Sequence, residues 1–346
     1  MKILFLLKQR FYTQSTAPEL KNSSYGLINS SKQIANYLEK LGHECKLSQI
    51  VDGNSVDKEL YNFKPQLVII EALWLTGNKL KELMEIKRYK DIKWIIRVHS
   101  DIGFLAAETM ATKYINDYLE LNKDNLFISM NNEAFNDSIS DAMQQDFVYL
   151  PNVITIDDNK IDTSKTLKNH IDVACFGSLR ILKNQCYQAI CAMEMANRLN
   201  KTLKFHITVD IGMSESNNRF PVLKNLEEIF KNTHHQLIEH SWLENDNFKL
   251  LIKEMDIGMQ LSYTESFNIV AADFVNSNIP IVVSEAITWM PGIYKTSTTN
   301  YEKTIKKMLF IYNFRKCWVL LKWQKINLKK YNKLAKLKWF DFMRVI

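Results

Sequence analysis

Short, uninterrupted apolar runs recur along the chain, among them LVII at 67–70 and WIIRV at 94–98, and amphipathic stretches separate them. Runs this short and this apolar are the pattern of parallel strands covered on both faces. Parallel neighbours need crossovers, so the alternation reads as β-α-β-α. Strands are predicted at 2–7, 44–48, 66–70, 93–98, 126–129 and 147–150, and helices at 27–41, 80–86, 106–119 and 133–143. The first helix closes on Lys40-Leu41-Gly42, a cation in the last turn followed by a glycine stop. A polar segment opening on Pro151 interrupts the rhythm. A second series follows, with strands at 172–176, 203–208, 236–239, 257–261 and 279–283 and helices at 184–199, 223–230, 248–253 and 267–276. Residues 303–340 hold no Gly or Pro and read as largely helical.

The 346 residues suffice for two domains. The expected organisation is an α/β chain of two Rossmann-like doubly wound domains facing a cleft. A first domain spans 1–152, a linker 153–169, a second domain 170–300, and a basic helical tail 301–346 packs back on the first domain. Only nine glycines occur. No G-x-G-x-x-G, G-x-x-x-x-G-K-[ST] or G-x-S-x-G is found, which removes the best signal for a dinucleotide fold, a P-loop or a nucleophile-elbow hydrolase. The five cysteines form no C-x-x-C pair, so reduced thiols and a cytoplasmic location are expected. The opening MKILFLLKQRF is too short in its apolar run for a leader or a membrane span and reads as a buried strand. Net charge is +7, but 301–346 alone carries thirteen Lys and Arg against Glu302 and Asp341, a net +11. The rest of the chain is therefore at −4.

Ligands of doubly wound domains bind at the carboxyl ends of the strands, so the residues just after each strand matter most. One stretch is Tyr263-Thr264-Glu265-Ser266-Phe267-Asn268, leading into a helix that carries Asp273. A helix starting at Ser266 or Phe267 offers N–H groups and a dipole to a phosphate. Glu265 can accept hydrogen bonds from sugar hydroxyls, and Asp273 from a ribose diol. The plainer alternative is a capped helix with two solvated acids. In Gly177-Ser178-Leu179-Arg180-Ile181-Leu182-Lys183, a glycine turn precedes two cations that can clamp a diphosphate. Two exposed cations at a helix start is the competing reading, which the helix dipole disfavours. Asn22-Ser23-Ser24-Tyr25-Gly26 supplies small and hydroxylic residues, with Gly26 allowing close approach, although such residues also cap helices. His99, just past the fourth strand, can orient a hydroxyl or act as a base, or be structural. No metal site is expected: His206, His234, His235 and His240 lack ligand spacing.

Taken together these motifs resemble the GT4-type (group 1) glycosyltransferases of the GT-B fold. ESFNIVAADFVNSNIPIVVSE is similar to that family's E-x7-E region, FGSLRILKN to its glycine turn with Arg and Lys, and YLPNVITID to the segment before its interdomain linker. YGLINSSKQIANYLEKLGHECKL is similar to its first loop and helix. The resemblance implies transfer of a sugar from a nucleotide-sugar such as a UDP- or GDP-sugar, which is substrate and not cofactor. It also implies retention and no metal. By motif, Glu265 would contact the donor sugar, Asp273 the ribose, Arg180 and Lys183 the diphosphate, and Ser266 and Phe267 would offer amides to the phosphate. Gly177 and Gly26 would line the donor, and His99 would lie near the reacting sugar. Asp stands where the family has its second Glu, and Ser266 and Asn268 replace two glycines, so the alternative is an inactive relative kept as a nucleotide- or sugar-binding module. The acceptor could be a glycan, a lipid-linked molecule or a nucleic acid. The tail, which combines Lys with Trp318, Trp323, Tyr331 and Trp339, could pack on the first domain, touch a membrane peripherally or contact phosphates.

Overall fold

The computed structural model describes residues 1–9, 25–157, 168–209 and 220–346. By its internal contacts the chain divides into two compact units. Unit 1 is Met1–Thr155 with Asn332–Ile346, and unit 2 is Ile156–Tyr331.

Unit 1 runs β1 (Lys2–Lys8), α1 (Tyr25–Lys40), β2 (Glu44–Ile50), α2 (Ser55–Phe63), β3 (Leu67–Glu71), α3 (Gly77–Glu85), β4 (Lys93–Val98), α4 (Ile102–Leu105), α5 (Ala111–Glu120), β5 (Leu126–Met130), α6 (Glu133–Met143) and β6 (Val148–Tyr149). Its sheet has the order β2-β1-β3-β4-β5-β6 and its pairs are parallel. Strand β3 is buried at every position, as its apolar run requires. Leu4, Leu6, Val68, Ile70, Trp94 and Ile96 form the centre of one core layer. The polar SVDKELYNF, to which the sequence pattern assigns no element, is α2; only Val56 and Leu60 of it are buried. The helix expected at 106–119 starts later, at Ala111, and a separate short helix, Ile102–Leu105, precedes it. Asp101 caps the short helix by accepting from the Ile102 N–H at 2.8 Å, and the chain turns before α5.

Unit 2 runs β7 (His170–Cys175), α7 (Gln185–Arg198), β8 (Thr202–Thr208), α8 (Phe220–Lys231), β9 (Gln236–His240), α9 (Asn245–Lys253), β10 (Ile257–Gln260), α10 (Ile269–Asn276), β11 (Ile281–Ser284), β12 (Lys295–Thr296), α11 (Tyr301–Asn313) and α12 (Trp318–Val345), the last continuing into unit 1. The sheet order is β12-β11-β10-β7-β8-β9, again parallel. Read from the other edge this is the 3-2-1-4-5-6 order of a Rossmann unit, and its direction reverses between β7 and β10. Gly258 of β10 lies beneath α10. A β-carbon there would sit 2.7 Å from the Phe274 ring and 3.0 Å from Ile281. Phe274 is fully buried and has no room to yield. Gly258→Ala is therefore expected to lower stability by about 1–3 kcal/mol in urea denaturation, through overpacking.

The segment expected as a linker is used at its start by unit 1, where Val153 and Ile154 are buried. Residues 158–167 lie outside the described residues. In α12, residues to Tyr331 belong to unit 2 and those from Asn332 to unit 1. In unit 1, Asn332 accepts from the Ile154 N–H at 2.8 Å, and the Trp339 indole donates to the Pro151 carbonyl at 2.8 Å. Among the described residues no helix is long and apolar enough to cross a membrane. All five cysteines are free thiols.

Candidate functional site

The loops that follow β7 and β10 flank the reversal point of the unit 2 sheet, and they carry most of the sequence-predicted residues. Gly177 takes φ +108°, a conformation a side chain would strain, and its N–H points at Thr208 Oγ1 at 3.4 Å. Arg180 is extended, and a short turn, Ile181–Lys183, brings Lys183 up to Asn184, the left-handed cap of α7. The two loops are tied together. Gln260 Nε2 donates to the Phe176 carbonyl at 2.8 Å, the Tyr263 N–H donates to the Leu182 carbonyl at 2.9 Å, and Asn184 Nδ2 donates to the Leu261 carbonyl at 3.4 Å.

Across this junction Lys183 Nζ donates to Glu265 Oε1, forming an ion pair. Glu265 is buried, and the same oxygen accepts from Ser262 Oγ at 2.7 Å and Asn268 Nδ2 at 2.9 Å. A buried carboxylate so supplied is held at one position, with its cation beside it. Sequence reasoning missed Ser262, Gln260 and Asn268 as partners. Ser262 stands three residues before Glu265, a spacing that alone carries no signal.

The helix expected to begin at Ser266 or Phe267 begins at Ile269 instead. Asn268 adopts φ +65°, and its side-chain oxygen caps the Ala271 N–H at 2.8 Å. Asparagine tolerates this left-handed region better than other residues with a side chain. Asn268 therefore both makes the turn and caps the helix. Ser266 is half-buried in the loop. Phe267 is buried between the Trp289 and Tyr331 rings, with centroids at 5.7 and 4.7 Å, and its carbonyl accepts from the Trp289 indole at 2.8 Å. Asp273 lies within α10. Burial pushes its carboxyl up to about 7; Asp157 adds to the shift and Lys249 opposes it.

His99 and Gly26 belong to unit 1. Gly26 is in the first turn of α1, and Asn22, Ser23 and Ser24 lie outside the described residues. His99 follows β4 and joins a buried polar cluster at the strands' carboxyl ends. Its Nε2 is paired with Glu71 and its Nδ1 is 3.4 Å from Asn131 Nδ2. Arg97 Nη1 reaches Glu71 Oε2 at 3.1 Å, while its other nitrogens donate to the Leu150 carbonyl at 3.1 Å and Asn152 Oδ1 at 2.6 Å. Glu71 and Arg97 have no exposed side-chain surface, whereas His99 keeps 17%. Burial would raise the Glu71 carboxyl, but Arg97 and then His99 outweigh it and hold it down at about 2. Burial and Arg97 lower His99 against the pull of Glu71, so the ring is biased towards neutral. The next residue after Glu71, Ala72, is left-handed at φ +70°, with its N–H bonded to the Arg97 carbonyl at 2.9 Å. Backbone strain of this kind collects at functional sites. Among the described residues no group of three or more His, Cys, Asp or Glu side chains is arranged to hold a metal.

No protein-family model and no curated protein matches the chain. Solved structures do. Sucrose-phosphate synthase from Thermosynechococcus elongatus aligns with a TM-score of 0.71 at 9% identity, over 99% of this chain and 98% of that one. HepE from Anabaena, determined with UDP and glucose, aligns with a TM-score of 0.63 at 12% identity over all of both chains. A variant of S. aureus TarM, in complex with fondaparinux, a GlcNAc-glycerol and UDP, aligns with a TM-score of 0.58 at 14% identity over 80% of this chain. The chain spans 54% of that protein's length. With its two parallel, helix-flanked six-stranded sheets, the chain has the α/β fold of the GT-B proteins, built from two Rossmann-like units.

Proposed function

We propose that the protein is a glycosyltransferase of the GT4 type, moving a sugar from a nucleotide-sugar such as a UDP- or GDP-sugar to an acceptor hydroxyl, with retention and without a metal. The observation that carries this reading is the Lys183–Glu265 pair joining the loops after β7 and β10 at the reversal point of unit 2. Lys183 and Glu265 are ion-paired with one another. An arriving diphosphate competes for the Lys183 ammonium, with Arg180 adding charge from the same turn. Glu265 Oε1 is then released to accept a hydrogen bond from a sugar hydroxyl, still steadied by Ser262 and Asn268. As the bond from sugar to diphosphate breaks, positive charge grows on the sugar and negative charge on the leaving group. Fixed cations aimed at that leaving group lower the barrier, a task a divalent metal would otherwise perform. Gly177 lets the backbone approach the donor, and the loop amides of Ser266 and Phe267 face the same task from the other side. Gly26 has the corresponding role in unit 1. His99, held by Glu71, is the catalytic group assigned to orient or deprotonate a substrate hydroxyl.

A thermal-shift screen over UDP- and GDP-sugars tests the reading. A rise in the melting midpoint with one donor, followed by a product whose anomeric configuration matches the donor and whose yield is unchanged by EDTA, supports every part of it. Binding without turnover would mark a non-catalytic relative, and no binding at all would end the proposal.

Asp273 adds a pH signature. To accept from both ribose hydroxyls it must be ionised, so donor affinity is expected to rise as pH is raised through about 7 and to lose that dependence in Asp273→Asn. Folding stability has the opposite dependence. The folded carboxyl lies above its ordinary 3.8, so its stabilising contribution is complete below that pH and is lost as pH rises through about 7. Asp273→Asn should therefore unfold at higher urea than wild type in alkaline buffer.

A further inference from the structure

The basic end of unit 2 exposes aromatic and cationic side chains together. Of Trp318, Trp323, Tyr331 and Trp339, Tyr331 stacks on Phe267 and Trp339 is fully buried in unit 1, so neither belongs to an outer face. Trp318 and Trp323 do: they are 52% and 45% exposed, and Val319 and Ile326 are exposed beside them in sequence. The Lys322 ammonium lies 4.4 Å from the centre of the Trp318 ring, and Lys329 and Lys330 are exposed further along α12. On α11, Lys303, Lys306, Lys307 and Phe310 line an open hollow of about 610 Å³ together with Glu302, which Arg198 engages at 2.7 Å. Phe310 packs against Phe314 at 5.0 Å, and both are exposed. No acid occurs between Glu302 and Asp341.

Three occupants compete for such a surface, and the chemistry separates them. A second copy would bring one dense positive patch against another. Nucleic acid phosphates would use the lysines, but exposed Val319 and Ile326 have nothing to gain from a phosphate backbone. An anionic bilayer uses both sets: lysines meet lipid phosphates, while Trp, Phe and aliphatic side chains enter the boundary between headgroups and acyl chains. We propose that the hollow on α11 and the outer face of the first turns of α12 dock unit 2 on an anionic lipid surface. Phe310, Phe314, Trp318 and Trp323 are the inserting side chains, and Lys303, Lys306 and Lys322 are the headgroup contacts. Nothing in this depends on donor chemistry.

The test is co-sedimentation of the full chain with vesicles of phosphatidylcholine, alone or mixed with phosphatidylglycerol. The expected result is binding to the mixed vesicles only, weakened by added salt, with Lys303→Gln and Lys306→Gln each lowering the partition coefficient about fivefold. Trp318→Ser combined with Trp323→Ser should lower it tenfold or more, with unchanged circular dichroism and melting midpoint because both positions are exposed. Brominated acyl chains should quench wild-type tryptophan fluorescence and quench Trp318→Phe with Trp323→Phe much less. Equal binding to neutral vesicles, no binding to either, or indifference to these substitutions overturns the proposal. So does a change confined to oligonucleotide binding, which would identify nucleic acid, or to oligomeric state, which would identify a second copy. A UDP- or GDP-sugar thermal shift measured on the same variants should be unaltered, so failure here is distinct from failure of the glycosyltransferase reading.

Discussion

Lys183→Ala is expected to lower glycosyl transfer by about 10²–10³-fold, since under the proposed mechanism it removes the charge that meets the departing diphosphate. The substitution also strips Glu265 of the Lys183 cation, while the buried carboxylate still accepts from Ser262 and Asn268. Stability should therefore fall together with activity. Two further variants separate these effects. Lys183→Ala combined with Glu265→Gln removes the uncompensated charge and should recover most of the stability, but none of the turnover. Lys183→Arg keeps the charge with a different reach and should retain donor binding better than Lys183→Ala. Isothermal titration with the donor, initial rates and urea denaturation read the three quantities apart. Full turnover in Lys183→Ala would remove this residue from the mechanism.

Arg97→Met should be the most destabilising single change in unit 1. It leaves Glu71 ionised, fully buried and without its guanidinium, and it also orphans the Leu150 carbonyl and part of the Asn152 bonding. Breaking a buried pair from one side costs about 3–5 kcal/mol, a large part of the ~5–15 kcal/mol that holds an ordinary domain folded. Arg97→Met combined with Glu71→Gln should be markedly more stable than Arg97→Met alone. The acid limb carries the same signature. The folded Glu71 carboxyl sits at about 2 against an ordinary 4.5, so its contribution is complete above 4.5 and is lost as pH falls through about 2. Glu71→Gln should flatten that part of the profile in acid denaturation.

Much of the architecture was legible because parallel strands buried on both faces must be apolar throughout, as LVII and WIIRV are. Helix α2 was not, because only two of its nine residues are buried, too few for a periodic signal. The start of α10 was misjudged because the chain enters it through a left-handed Asn268, and a positive φ leaves no mark in periodicity. In the candidate site, the local motifs Gly177-to-Lys183 and Glu265-to-Asp273 could be read in sequence. That Lys183 and Glu265 would be one another's partners could not, since 82 residues separate them. Glu71 and Arg97 were overlooked for the opposite reason: each sits within or at the end of an apolar run, where a lone charge reads as an interruption. Only the register of β3 against β4, which sets Glu71 opposite Arg97, reveals them as a pair.

The division of α12 between the two units has a consequence for how the polypeptide matures on the ribosome. Trp339, which fills the interior of unit 1 and lies 5.7 Å from the Arg97 guanidinium, is made after all of Ile156–Tyr331. At ordinary translation speeds that delay is roughly ten to thirty-five seconds. During it the nascent first unit must wait with the slot for that indole unfilled, so chaperone engagement should be concentrated on unit 1 until synthesis passes the second half of the helix.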